Sequence, residues 1–248
     1  MFFIMKMNLS KRNKQNALAR WQKIRKKEID FINSNFDKKH FKARILGCIA
    51  GDGSISFKNG RSDIRFYPDH ISLLKVFSSA MKEYYNKDPN VKNLSKHYLA
   101  RIFSKTICDD LLSECSLGTY NWTFPFNICK DFECKKEWLK AFFDCESYVG
   151  KNRISLGSVN SIGLNQVKEQ LLYFGINSKI YEYQPKNKKW SKTFILVISG
   201  RQSLCNYSLH IGFNHQVKSE KLKTLIFTKD LSRDRITRQC ADSMNLEA

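Results

Sequence analysis

Ile45-Leu46-Gly47-Cys48-Ile49-Ala50-Gly51-Asp52-Gly53 and Leu139-Lys140-Ala141-Phe142-Phe143-Asp144-Cys145-Glu146-Ser147 share one pattern: mostly apolar residues, small residues at the third and seventh positions, an acid at the eighth. Apolar residues cover nearly the whole circumference of each run, so each reads as a helix that must be buried. Gly47 and Gly51 in the first, and Ala141 and Cys145 in the second, are spaced i, i+4 and share a helix face. That face has almost no bulk. Glycine inside a helix costs about 1 kcal/mol relative to alanine, so two of them a turn apart call for another backbone at close range. The natural partner of each helix is the other. Packed face to face, they bring Asp52 and Glu146 together at the helix ends, and two such acids repel unless a cation lies between them.

The two runs resemble the paired LAGLIDADG motifs of single-chain homing endonucleases, with Asp52 and Glu146 in the place of each motif's last acid. The first copy continues Asp-Gly-Ser-Ile, as many members do. The second departs at Ser147, where glycine is usual, and serine resists a positive φ. The resemblance covers about residues 40–227 and implies a divalent-metal-dependent DNA endonuclease that leaves short 3′ overhangs.

Outward from these runs the chain repeats itself, with a period of about the 94 residues that separate Asp52 from Glu146. After the first run, Ile55 and Phe57 alternate with polar residues, Asn59-Gly60 marks a hairpin turn, and Ile64 and Phe66 alternate again. The opposite face carries Ser54, Ser56, Lys58, Asp63, Arg65 and Tyr67, suited to a ribbon in a DNA major groove or to a plain solvated sheet face. A helix over 72–85, strands at 91–94 and 98–103, and a helix over 106–115 follow. The second run restarts the order, with strands across 148–156, a helix over 164–174 ended by Gly175, strands at 178–183 and 193–199, and a helix opening at Gly200. The expected fold is α+β, two pseudo-symmetric αββαββα lobes packed through the motif helices, with twisted antiparallel DNA-binding sheets. The divisions are a basic arm at 1–39, a first lobe at 40–120, a linker at 121–133, a second lobe at 134–227 and a polar tail at 228–248.

The formal net charge of +20 predicts a polyanionic partner, double-stranded DNA first, with intron RNA as an alternative. No stretch has the length of a membrane span, and Lys6 interrupts the opening apolar residues too early for a signal peptide. Eight scattered cysteines without a Cys-x-x-Cys pair read as reduced thiols in an intracellular protein, in cytoplasm or organelle matrix. The arm is rich in Lys and Arg over a thin stripe of Ala17, Leu18, Trp21 and Ile24, and reads either as a solvated helix or as a source of added phosphate contacts.

Phosphodiester hydrolysis needs an activated water and neutralisation of the leaving oxygen, which divalent ions bridged by two carboxylates supply. Mg²⁺, a hard cation with oxygen ligands, is the expected ion and Mn²⁺ a substitute. Asp52 and Glu146 are its expected ligands, completed by backbone carbonyls beside them, at Gly51 and Cys145, with one acid serving each strand. The lysines usual in the family are missing around Pro68-Asp69-His70 and Val159-Asn160-Ser161, and Lys218, after Gly212-Phe213, is the candidate the resemblance offers in their place, against a plain surface lysine. His70 and His215 read as loop histidines rather than metal ligands. The side chains expected to reach bases or phosphates are Ser54, Ser56, Lys58, Arg61, Arg65 and Tyr67 in the first lobe, and Lys151, Arg153, Ser155, Lys179, Lys186, Lys188, Lys189 and Lys192 in the second. The chain reads as a monomeric, site-specific homing endonuclease cutting a long, non-palindromic site and encoded in a mobile intron or intein-like element. The alternatives are an RNA-binding maturase and a non-catalytic DNA-binding regulator on the same fold.

Overall fold

The computed structural model describes residues 2–58, 60–185 and 191–227, with side chains from residue 13 onward. After a long helix α1 (Phe2–Ser34), the first lobe comprises α2 (Lys39–Asp52), β1 (Gly53–Lys58), β2 (Arg61–Phe66), α3 (Ile71–Tyr85), β3 (Asn90–Leu94), β4 (His97–Ile102) and α4 (Lys105–Leu112). The second repeats that order with α5 (Phe132–Glu146), β5 (Ser147–Val149), β6 (Arg153–Ser158), α6 (Ser161–Tyr173), β7 (Ser178–Tyr183), β8 (Thr193–Ser199) and α7 (Arg201–His210). The architecture is α+β, two αββαββα lobes. Their antiparallel four-stranded sheets have the same strand order, β1-β2-β4-β3 and β5-β6-β8-β7. A further helix, α8 (Gln216–Phe227), has no counterpart in the first lobe and was not foreseen from the sequence. Helix α4 ends at Leu112 and α5 starts at Phe132, so the connection between the lobes is longer than the 121–133 linker read from composition.

The two motif helices meet through the faces that lack side-chain bulk. A Cβ on Gly47 would lie 2.5 Å from the Trp138 carbonyl oxygen and 2.9 Å from Ala141 Cβ, and one on Gly51 would strike Cys145 Cβ. Around this seam Leu46, Ile49, Trp138, Phe142 and Phe143 are buried, and Trp138 stacks on Phe142 with ring centres 4.9 Å apart. Arg44 Nε donates to Glu137 Oε2 across the same helices at 2.6 Å, with Glu137 nearly inaccessible. Partner and packing compensate for the cost of burying that charge.

Each acid is followed at once by a strand. Gly53 pairs with Phe66 in the first sheet and Ser147 with Leu156 in the second. The registers then align the lobes position by position: Ile64 with Ile154 and Phe66 with Leu156 on the core face, Arg65 with Ser155 and Arg101 with Val197 on the other. Ser147 causes no strain, because its φ is −92° and its hydroxyl donates to the Phe143 carbonyl at 2.6 Å. Gly53 is extended as well; what it requires is space, since a Cβ there would lie 2.5 Å from Ile49 Cα.

The last turns of α1 dock on the first lobe. Glu28 accepts from Ser104 Oγ and from Lys87, both at 2.9 Å, and Arg25 pairs with Asp109 at 3.5 Å. Further toward the N-terminus Leu18 and Trp21 are exposed. Among the described residues the seven cysteines are all free, and no helix is long and apolar enough to cross a membrane. Lys186, Lys188, Lys189 and the tail at 228–248 lie outside the described residues.

Candidate functional site

Asp52 and Glu146 end their helices side by side. Glu146 Cγ lies 3.5 Å from where a Cβ on Gly51 would be, which puts the second acid beside the last turn of the first helix. Burial, then the neighbouring Asp52 charge, pushes the Glu146 carboxyl up to about 7, with Lys218 opposing. Burial, then Asp69, raises Asp52 too, opposed by Lys218 and by a hydrogen bond from Cys145. Each acid holds its proton more tightly than an exposed carboxyl would, chiefly because burial disfavours the charged form and a neighbouring carboxylate adds to it.

Lys218 is at this centre. It sits in the first turn of α8, half-buried, with Nζ donating to the carbonyl oxygens of Asp144 at 2.5 Å, Cys145 at 3.3 Å and Phe143 at 3.5 Å. These carbonyls lie in the last turn of α5, where a helix favours a cation; Phe143 O is also bonded by Ser147. Burial lowers the Lys218 pKa against the pull of Cys145, Asp144, Asp69 and Asp52. Because Lys218 already engages the Cys145 carbonyl, that oxygen is partly claimed, whereas the Gly51 carbonyl has no such competitor described.

Sequence reasoning did not assign roles to Asp69 and Asp144. The Asp144 carboxylate is buried and accepts from Asn214 N at 3.0 Å, Asn214 Nδ2 at 3.0 Å and His215 N at 2.9 Å, capping α8 from another helix. Burial pushes its carboxyl up to about 6 despite those bonds. Asp69, in the loop after β2, pairs with His215 Nε2 at 3.4 Å, and His215 stacks on His70 with ring centres 4.9 Å apart. His70 in turn caps α3, its Nδ1 accepting from Ser72 N at 3.2 Å. Both histidines have structural roles at the flank of the acid pair, although His215 Nδ1 is buried without a partner.

On the opposite flank the pseudo-symmetric place is open. A cavity of about 550 Å³ lies there, lined by Gly51, Gly53, Glu146, Gly118, Ser158 and Val159. Asn160, in the loop where a second lysine was sought, instead caps α6 and donates to the Trp122 carbonyl at 2.6 Å.

The first sheet presents Ser54, Ser56, Lys58, Arg61 and Arg65 on its outer face, as the alternation requires. Arg65 is not free. Together with Arg101, it grips the buried Asp63 carboxylate, Arg101 through contacts of 2.7 and 2.6 Å. Those bonds outweigh burial and hold Asp63 below the usual carboxylate range. Tyr67 leads away from β2, its ring edge-on to His97. In the second sheet Arg153, Ser155 and Lys179 share the outer face, Lys151 is exposed in the preceding turn, and Lys192 pairs with Glu182 at 2.6 Å.

Among the described residues no three His, Cys, Asp or Glu side chains form a metal cluster. Two half-buried carboxylates, Glu146 raised by burial and by Asp52 and Asp52 raised by burial and by Asp69, beside helix-end carbonyls, still fit a hard divalent ion whose remaining ligands are water and phosphate. A two-lobed α+β chain joined by bulk-free helices that end in paired acids defines the LAGLIDADG class. Residues 133–212, the second lobe, match the LAGLIDADG-like domain family. The fold is that of the homing endonuclease I-DmoI, whose crystal structure with DNA and Mn aligns at a TM-score of 0.55 and 16% identity, over 70% of this chain and 96% of that one. Among curated proteins, the replication factor C small subunit of Thermococcus kodakarensis is 34% identical over 185 residues, covering 74% of this chain. The glutamine–fructose-6-phosphate aminotransferase of Methanocaldococcus jannaschii is 27% identical over 192 residues, also 74% of this chain. The matched segments are 21% and 17% of those two proteins.

Proposed function

We propose that this chain is a divalent-metal-dependent, site-specific DNA endonuclease that makes a double-strand break in a long, non-palindromic site. The observation that carries the reading is the pair Asp52 and Glu146, held together by backbone-close helices with Glu146 pushed up to about 7. No structural need explains two half-buried acids left to repel each other, whereas a pair of ion ligands requires that closeness. Asp52, Glu146 and the Gly51 carbonyl would hold the ions, Mg²⁺ by preference, which when bound supply an activated water and neutralise the leaving oxygen. Lys218 keeps a positive charge beside both acids, and each acid serves one strand. The basic outer face of the first sheet and the +20 net charge hold the duplex over them. Both lobes lie in one chain, so a monomer completes the site.

A replication subunit and an aminotransferase, unrelated by name, match this chain over about a fifth of their lengths. The shared segment therefore behaves as an insert rather than as part of either protein's own work, which supports a mobile, intron- or intein-like origin.

Cleavage selection on a randomised duplex library, in Mg²⁺ and in parallel with a chelator, tests the reading. One long sequence cut only with metal, and cut by neither Asp52→Asn nor Glu146→Gln, is expected. Retention of duplex without any cut product would favour the regulator, and retention of RNA in place of DNA the maturase.

A further inference from the structure

The two sheets occupy equivalent places in the lobes, yet their outer faces differ in chemistry. In the first, the central strands β2 and β4 set Arg65 opposite Arg101, with Asp63 between them. In the second, the register places Ser155 opposite Val197 at the same position, and Gly157 opposite Ile195 one step further along. The edge strand continues the contrast: Lys179 lies beside Val197 and Tyr181 beside Ile195. Tyr148 and Tyr181 are more than half exposed, while Val197 lies almost flush with the sheet at 8%. Over Gly157 the surface is open, since a Cβ there would meet only Thr193 Cγ2, at 3.9 Å. The face is a shallow apolar floor of Ile195 and Val197, walled by tyrosine and set beside the small residues Ser155 and Gly157. Lys179 stands at its edge and Arg153 at its end, and between them Ser155 is the polar side chain beside the floor.

We infer that this floor reads the C5-methyl groups of thymine in the major groove, so that the half-site lying on the second lobe is specified by methyl contact and the other half-site by hydrogen bonds and charge. The inference rests on the DNA-binding reading and deepens it. Thymine carries the methyl group of the major groove, and aliphatic side chains are its natural complement. The face is continuous with the acid pair through β5, which starts at Ser147 directly after Glu146, so a duplex engaged by the acids passes over it. At the centre of the two sheets, Arg65 and Arg101 of one lobe stand where the other has Ser155 and Val197, so the two half-sites meet different chemistry there. RNA, whose uracil lacks the methyl, would leave the floor without a complement.

The experiment begins with the sequence retained from a randomised duplex library by the full chain. Each thymine in it is then replaced singly by deoxyuridine, which removes one methyl and alters no hydrogen bond. Loss of about fourfold in affinity per sensitive thymine is expected, the effect of exposing one methyl, with the sensitive positions confined to one side of the scissile bonds. In Ile195→Ala the sensitivity at one of those thymines should vanish, assigning that half to the second lobe. Uniform affinity for all uracil duplexes, sensitivity spread over both halves, or a retained sequence without thymine in either half would overturn the inference and leave DNA binding standing. Failure to retain any duplex would overturn both.

Discussion

Asp144 and Lys218 secure each other's helices. The Asp144 carboxylate caps the N-terminus of α8 through Asn214 N and His215 N, while Lys218, one turn into α8, returns its ammonium to the Asp144 carbonyl at 2.5 Å. One residue thus supplies an anion to a helix start, and its own helix end receives a cation, each where the backbone dipole favours it. The interlock delivers the lysine to the acid pair.

Lys218→Met should abolish most cleavage and leave duplex binding near wild type, because the lost charge faces the acids rather than the sheets. A fall of about a hundredfold or more in the single-turnover cutting rate is expected, the usual scale for removing an electrostatic stabiliser. Equal losses of binding and cutting would place Lys218 among phosphate contacts instead.

Asp144→Asn should reproduce part of that defect from a distance. The amide retains one acceptor for the α8 cap and loses the charge, so a destabilisation of about 1–2 kcal/mol is expected on urea denaturation. Hydrogen exchange at Gln216–Phe227 should rise more than in the sheets.

Metal-free protein should lose stability as pH rises from about 4.5 to 7. The Glu146 carboxyl is raised from 4.5 to about 7, so the native state binds its proton more tightly than the unfolded chain does. That contribution is complete below the unfolded value and disappears as pH passes the native one. Asp144, raised from 3.8 to about 6, acts in the same direction at lower pH. Ca²⁺ or Mg²⁺ should flatten the upper part of this slope by favouring the ionised pair, which thermal unfolding at several pH values would read directly. A slope unchanged by either ion would argue against metal binding at the pair.

Gly51→Val should be among the most damaging single changes in the chain. Any side chain there meets Cys145 Cβ, an atom fixed to its own helix backbone rather than the far end of a flexible side chain. Overpacking of this kind costs about 1–3 kcal/mol or more. Gly60→Val, at a hairpin tip with open space but φ +71°, is a useful contrast because its strain is local. Only the first should also reduce cutting in proportion to its effect on the acids.

The seam was legible because its signal is local: small residues one turn apart and an acid one position beyond, twice over. The hairpins were legible for the same reason, alternation being a property of neighbours, and strands 178–183 and 193–199 fall where that alternation placed them. Helix α8 was not. Its cap comes from Asp144, some seventy residues away along the chain, so nothing next to Gln216 announces a helix start. Asp63 shows the same limit. In sequence it is one polar residue on a polar strand face, and only the pairing of β2 with β4 brings Arg101 to it and draws Arg65, an expected DNA contact, into an ion-paired group. Lys218 was found through family likeness, and its position over the end of α5 depends on a fold that spacing alone does not specify.

The bulk-free contact between α2 and α5 also sets what can change over time. Where Gly47 and Gly51 meet the partner helix there is no side chain to trim and no room to lengthen one, so the gap between Asp52 and Glu146 behaves as a fixed ruler. The sheets, by contrast, carry their outer residues on alternate positions that the core does not see. For a cutter of DNA, the stagger between the two nicks is then inherited unchanged, while either half of the recognised sequence can be rewritten one strand at a time.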